Sequence, residues 1–144
     1  MRYSLFIVLL FISFTTINCA KAKKNSNTTF DTLVWSDDFN EDGPINSKNW
    51  FHQTQLPAGG DWYGGLINHY TNRIENSYVE DGFLNIVAKK ELFEDQGEIK
   101  QYTSARLNSK FAFTYGKVEA RVKLPFGVGT WPAIWMLNKN IDEP

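Results

Sequence analysis

The sequence predicts an all-β protein, a β-sandwich or jelly roll. Two observations carry this. Short runs alternate apolar and polar residues, and turn signals separate the runs at regular intervals. No segment sustains a helical period.

Leu33 to Phe39 reads as a first strand, closed by the turn signal Asp42-Gly43-Pro44. Ser47 to Trp50 has the character of one short helical turn. Glu80-Asp81-Gly82 punctuates the chain before Phe83 to Lys90, a strand with Leu84, Ile86 and Ala88 on one face. Asp95-Gln96-Gly97 marks a hairpin tip. Ser104 to Thr114 holds one or two further strands, and Tyr115-Gly116 ends it. Val118 to Leu124 alternates strictly: Val118, Ala120, Val122 and Leu124 face one side, and Glu119, Arg121 and Lys123 the other. Glu119, flanked by Lys117 and Arg121, is expected to have a cross-strand partner. From Gly127 to Leu137 two tryptophans flank a proline. Alternation puts Trp131, Ala133, Trp135 and Leu137 on one face, with one tryptophan in the core and the preceding glycines forming a loop at the sheet rim.

The amino terminus predicts export. Arg2, the apolar run Leu5 to Phe14 and the stretch ending at Cys19 form a signal peptide over residues 1–19. The run is too short for a stable membrane span. Cys19 is the only cysteine, placed as in a lipoprotein signal, where it becomes lipidated; the other reading is ordinary cleavage nearby. Both leave the mature chain without an internal disulfide. The chain is then expected at the outer membrane or cell surface as a lipoprotein, or secreted. Residues 20–32 are polar and lack apolar periodicity, as in a flexible tether. Residues 33–144 form the folded part.

Charge narrows the partners. Removing Arg2 with the leader leaves 14 basic against 16 acidic residues, a formal −2. No basic face stands out, which argues against nucleic acid. A neutral polymer such as a polysaccharide fits. Five tryptophans in a chain this short suit it too, because a pyranose packs its C–H face on an indole.

Other residue groups read as structural. Asp38 to Gly43 imitates the opening of an EF-hand loop, but Asn49 stands where the closing glutamate belongs. Glu91, Glu94, Asp95 and Glu98 cluster at a hairpin tip, where a solvated loop is the better reading than a pair of catalytic carboxylates. His52 and His69 lack partners at metal-ligand spacing, leaving structural or substrate-contacting roles.

Six segments in order then resemble glycoside hydrolase family 16, of the laminarinase type. They are Trp35 to Phe39; Tyr70 to Arg73 with Glu75-Asn76; Asp81 to Ile86; Tyr102 to Leu107; Phe113 to Arg121; and Leu124-Pro125 through Trp131 to Leu137. The resemblance covers nearly everything after residue 32. It implies a concanavalin A-like jelly roll with an open cleft, and retaining hydrolysis of β-1,3- or mixed-linkage β-glucans. A non-catalytic carbohydrate-binding jelly roll and a family 16 galactanase acting on agar or porphyran are the alternatives.

The family's catalytic motif is Glu-x-Asp-x-x-Glu, shortly after the Trp-Pro-Ala-x-Trp-Met-Leu segment. It does not occur in residues 1–144. The expectation is an amino-terminal fragment of an incomplete jelly roll, unstable and inactive by itself, with the motif after Pro144.

By the same resemblance, Arg106 and Trp131 are the leading sugar contacts, followed by Trp135 and Asn68. Arg106 either hydrogen-bonds sugar hydroxyls or makes a cross-strand ion pair. Where laminarinases carry Asn-Asn-Glu-Leu-Gln, this chain has Gly64-Gly65-Leu66-Ile67-Asn68, a departure that bears on which glucan is taken. No cofactor is required. A structural Ca²⁺ is implied by the resemblance, with Asp38 and Gly82 at the matching positions. A monomer is expected, touching membrane only through the lipid.

Overall fold

A computed structural model describes residues 29–62 and 64–139. The expected signal peptide, Cys19 and most of the expected tether lie outside the described residues. Among the described residues every regular element is a strand. These are β1 (Trp50–His52), β2 (Asn68–Tyr70), β3 (Ser77–Glu80), β4 (Phe83–Ile86), β5 (Lys89–Asp95), β6 (Glu98–Ser104) and β7 (Leu107–Ser109).

Two hairpins arise from their turn residues. Asp81 and Gly82 have φ of 52° and 75°, and Gln96 and Gly97 have 53° and 82°. Two consecutive left-handed residues make the turn whose twist matches that of antiparallel strands. β3 thus pairs with β4, and β5 with β6, at the predicted signals. β2 lies parallel to β6 and gives a three-stranded sheet of order β2-β6-β5. β1 pairs antiparallel with β7, joining residues far apart in the chain. Gly43 bonds both ways with Val79, so the Asp42-Gly43 turn rests on β3. The predicted helical turn is present: the amides of Asn49 and Trp50 both donate to the Asn46 carbonyl.

The interior is unusually polar. Leu56, Trp62, Val79 and Ala105 are its buried apolar residues, beside fully buried His69, Asn76 and Thr103. Asn76 makes this tolerable. Its Oδ1 accepts from Thr71 Oγ1 and from Arg73 Nη2 at 3.1 Å. Its Nδ2 donates to Val87 O at 3.1 Å and Thr103 Oγ1 at 3.0 Å. All four hydrogen-bonding positions of the amide are filled, which offsets the cost of burying it. Glu91 completes the network with Thr103 and Arg73. The Thr103 hydroxyl first, then Arg73, holds its carboxyl below the usual range.

Three expectations are corrected. Leu33 to Phe39 forms no strand; Phe39 turns left-handed at φ 53°, and Asp37 instead accepts from Phe39 N, Asn49 Nδ2 and Trp50 Nε1. Phe83 to Lys90 is not one strand but breaks at Val87-Ala88, where Val87 N turns to Asn76 O. Val118 to Leu124 is in no ladder, and Val118, Val122 and Leu124 are more than half exposed. Alternation sets which side chains share a face, but a strand also needs a neighbouring backbone, and none pairs with this segment among the described residues. Glu119 accordingly bonds Lys117, two residues away at 2.8 Å, rather than a residue across a ladder.

Candidate functional site

The site begins with the loop between β1 and β2. Its first part is tied to the tip of the β5–β6 hairpin by one side chain. Gln96 Oε1 accepts from Gln55 Nε2 at 2.7 Å and Leu56 N at 2.9 Å, and its Nε2 donates to Thr54 O at 2.9 Å. Lys100 Nζ, on β6, reaches Asp61 at 2.5 Å. These bonds deliver the next residue, Trp62, into the interior, where it is 4% exposed.

Trp62 organises the rest of the loop. A bridge to Leu66 closes a tight turn around Gly64 and Gly65. The indole meets Tyr70 edge to face, with centroids 4.9 Å apart. The Arg106 guanidinium carbon lies 5.2 Å from the Trp62 ring and 4.9 Å from the Trp135 ring. Arg106 itself sits between β6 and β7, where its carbonyl accepts from Gln53 N at 2.9 Å. An arginine against two indoles gains cation–π attraction, and its planar fork carries N–H donors for a polar ligand.

The remaining predicted contacts join this cluster. Asn68 is half-buried on β2, where its amide donates to the His69 carbonyl at 3.2 Å and hydrogen-bonds Tyr70. Burial pushes the Tyr70 hydroxyl pKa up, and the Arg106 charge and the Asn68 bond only partly offset that. Trp131 comes after a turn in which Thr130 Oγ1 donates to Gly127 O at 2.8 Å, and its six-membered ring lies over Gly64. Arg106 and Trp135 are therefore in direct contact, Asn68 joins them through Tyr70, and Trp131 abuts the turn beside Trp62.

One expectation fails here. Trp131 is 72% exposed and Trp135 59%, so neither lies in the core. The 127–137 segment is in no ladder, and Trp131, Ala133, Trp135 and Leu137 are all exposed. Trp62 and Tyr70 were not among the predicted contacts. Trp62 lies in a loop without periodicity, and its only signal is a large aromatic next to paired glycines.

The other polar candidates serve the fold. His52 Nε2 is 2.7 Å from Ser77 Oγ, and His69 Nε2 is 2.9 Å from Glu98 O. Glu91 belongs to the Asn76 network, while Glu94, Asp95 and Glu98 frame the hairpin tip. Asp42, in the loop resembling an EF-hand, instead accepts from Asp81 N at 3.0 Å. Among the described residues no group of three His, Cys, Asp or Glu side chains is arranged to hold a metal ion. Asp38 and Gly82 together offer one carboxylate and backbone oxygens, whereas Ca²⁺ takes six to eight oxygens.

Comparison with known proteins identifies the fold. The chain is 39% identical over 118 residues to Glucan endo-1,3-beta-glucosidase A1 of Niallia circulans, covering 75% of this chain and 17% of that protein. It is 44% identical over 108 residues to Beta-glucanase of Rhodothermus marinus, covering 73% and 35%. The chain thus spans about a third or less of these relatives. A LamA variant from Zobellia galactanivorans, solved with laminaritriose and laminaritetraose, superimposes with a TM-score of 0.59 at 52% identity, over 60% of this chain and 35% of that one. The family described as Glycosyl hydrolases family 16 matches residues 69–143, more than half of the sequence. With the all-β architecture, that match makes the fold class a β-jelly roll and the chain a member of glycosyl hydrolase family 16.

Proposed function

We propose that the protein hydrolyses β-1,3- or mixed-linkage β-glucans, and that Arg106, Trp131, Trp135 and Asn68 bind the glucan. One observation carries this reading. A guanidinium is held against two indoles, one of them exposed, with a second exposed indole nearby on the Gly64 turn. Flat apolar faces pack on pyranose C–H groups, and a fixed donor fork reads hydroxyls. Neutral glucan needs both and needs no charge complement. Relatives named as endo-1,3-beta-glucosidase and beta-glucanase, and a similar structure solved with laminari-oligosaccharides, support the substrate class.

Family membership supports a retaining mechanism, in which one carboxyl attacks the anomeric carbon and a second protonates the leaving oxygen from about 5–5.5 Å away. No residue of this chain is assigned to either role. The residues at hand bind and orient sugar. Export through residues 1–19, with Cys19 lipidated or the leader simply cleaved, belongs to the same reading, since glucan polymers are met outside the cell. Palmitate labelling, lost in a Cys19→Ala variant, separates the two routes.

The test is reducing-sugar release from laminarin, lichenan and agarose by the full-length protein. Turnover of laminarin or lichenan is expected. Turnover of agarose alone would move the substrate to galactans. Binding without turnover would make the protein a carbohydrate-binding jelly roll.

A further inference from the structure

Gly64 and Gly65 are adjacent, both left-handed (φ 80° and 73°), and both inside the turn closed by the Trp62–Leu66 bridge. They differ in what they face. A Cβ built on Gly64 meets the Trp131 ring, at 3.7 Å from Cζ3 and 3.8 Å from Cη2. A Cβ built on Gly65 meets nothing within 4 Å. Trp131 is otherwise mostly in solvent, at 72% exposure, so little of its own packing fixes its ring.

We propose that Gly64 is a positioning residue: its bare backbone seats the six-membered ring of Trp131 and sets the tilt of the indole face offered to a glucan. The inference rests on Trp131 being a sugar platform. Its physical content is steric. A methyl fits at ordinary contact distance, but an atom one bond further on the ring side falls well inside it. The indole must then lift or turn. A stacked sugar tolerates little such movement, because dispersion falls steeply with separation. The consequence is that residue 64 tunes glucan affinity without touching glucan.

The matched pair Gly64→Asn and Gly65→Asn tests this. Asparagine tolerates left-handed backbone better than other non-glycine residues, and the backbone cost is common to both sites. Laminaritetraose is titrated calorimetrically into the full-length parent and each full-length variant, with urea unfolding measured alongside. The two variants should lose similar stability. Gly65→Asn should bind within about twofold of the parent, and Gly64→Asn about tenfold more weakly. In a Trp131→Ala background, Gly64→Asn should add no further loss. Gly64→Ser, with one atom beyond Cβ, should show the same pattern at smaller amplitude and serves if the asparagine variant fails to fold. Equal losses at both positions, or an undiminished affinity in both Gly64 variants, would overturn the role of Gly64 and leave the platform reading standing. Parent protein that binds no laminaritetraose, or binds it as well after Trp131→Ala, would overturn the platform reading and the inference with it.

Discussion

Arg106 and Trp135 are in cation–π contact, the guanidinium carbon 4.9 Å from the indole centroid, although 29 positions separate them in the chain. Trp62 makes a second such contact at 5.2 Å. The pairing restrains a flexible side chain and joins two segments that share no ladder. It places a hydrogen-bonding fork beside an exposed apolar ring.

This contact makes Arg106→Lys a non-conservative change. Lysine keeps the charge but loses the plane that lies on the rings and the fork that reads hydroxyls. Laminaritetraose affinity should fall about tenfold, or ~1.4 kcal/mol by calorimetry. Unchanged affinity would show that only the charge matters.

Trp131→Ala should separate binding from stability. The side chain is mostly exposed, so the free energy of urea unfolding should change by no more than about 0.5 kcal/mol. Loss of a stacking face should weaken laminaritetraose binding by about tenfold, and Trp131→Phe should restore part of it. A large stability loss would instead assign Trp131 to packing.

Asn76→Ala should have the opposite profile. The variant leaves the Thr71 hydroxyl and the Val87 carbonyl without their Asn76 partner in a buried site, while Arg73 and Thr103 keep their bonds to each other and to Glu91. At about 1–3 kcal/mol for an unsatisfied buried group, partly relieved by water, a loss of about 3 kcal/mol is expected in urea unfolding. A loss below about 1 kcal/mol would mean the network is dispensable.

Acid should destabilise the fold in two stages. Burial lowers the His52 pKa from its ordinary 6.5, so the unfolded chain takes up that proton first. Its contribution to stability is complete above about pH 6.5 and is lost as pH falls through the lowered folded value. Asp37 titrates next. Burial alone would raise its pKa, but the bonds from Asn49, Trp50 and Phe39 outweigh burial and hold it below 3.8. Its contribution is present above that ordinary value and is lost as pH falls through the folded one. Urea midpoints measured across pH should show both stages, with His52→Gln flattening the first and Asp37→Asn reducing the second, to which the lowered Glu91 carboxyl also contributes. An unaltered upper stage in His52→Gln would place that titration elsewhere.

Much of the architecture was legible in the chain. The all-β class, the hairpin turns at Asp81-Gly82 and Gln96-Gly97 and the family all rest on local signals: alternation, left-handed turn residues and ordered motifs. Arg106 and the paired tryptophans were legible as a motif, and the Gly64-Gly65 departure as a substitution. Tertiary structure alone decided the partners. Alternation in Val118 to Leu124 names two faces but no neighbouring backbone, so the ladder expected there is absent among the described residues. The approach of Arg106 to Trp62, the seat of Trp131 on Gly64 and the burial of Asn76 each join residues distant in sequence. Such contacts depend on how sheets and loops pack, and no local period or propensity encodes that.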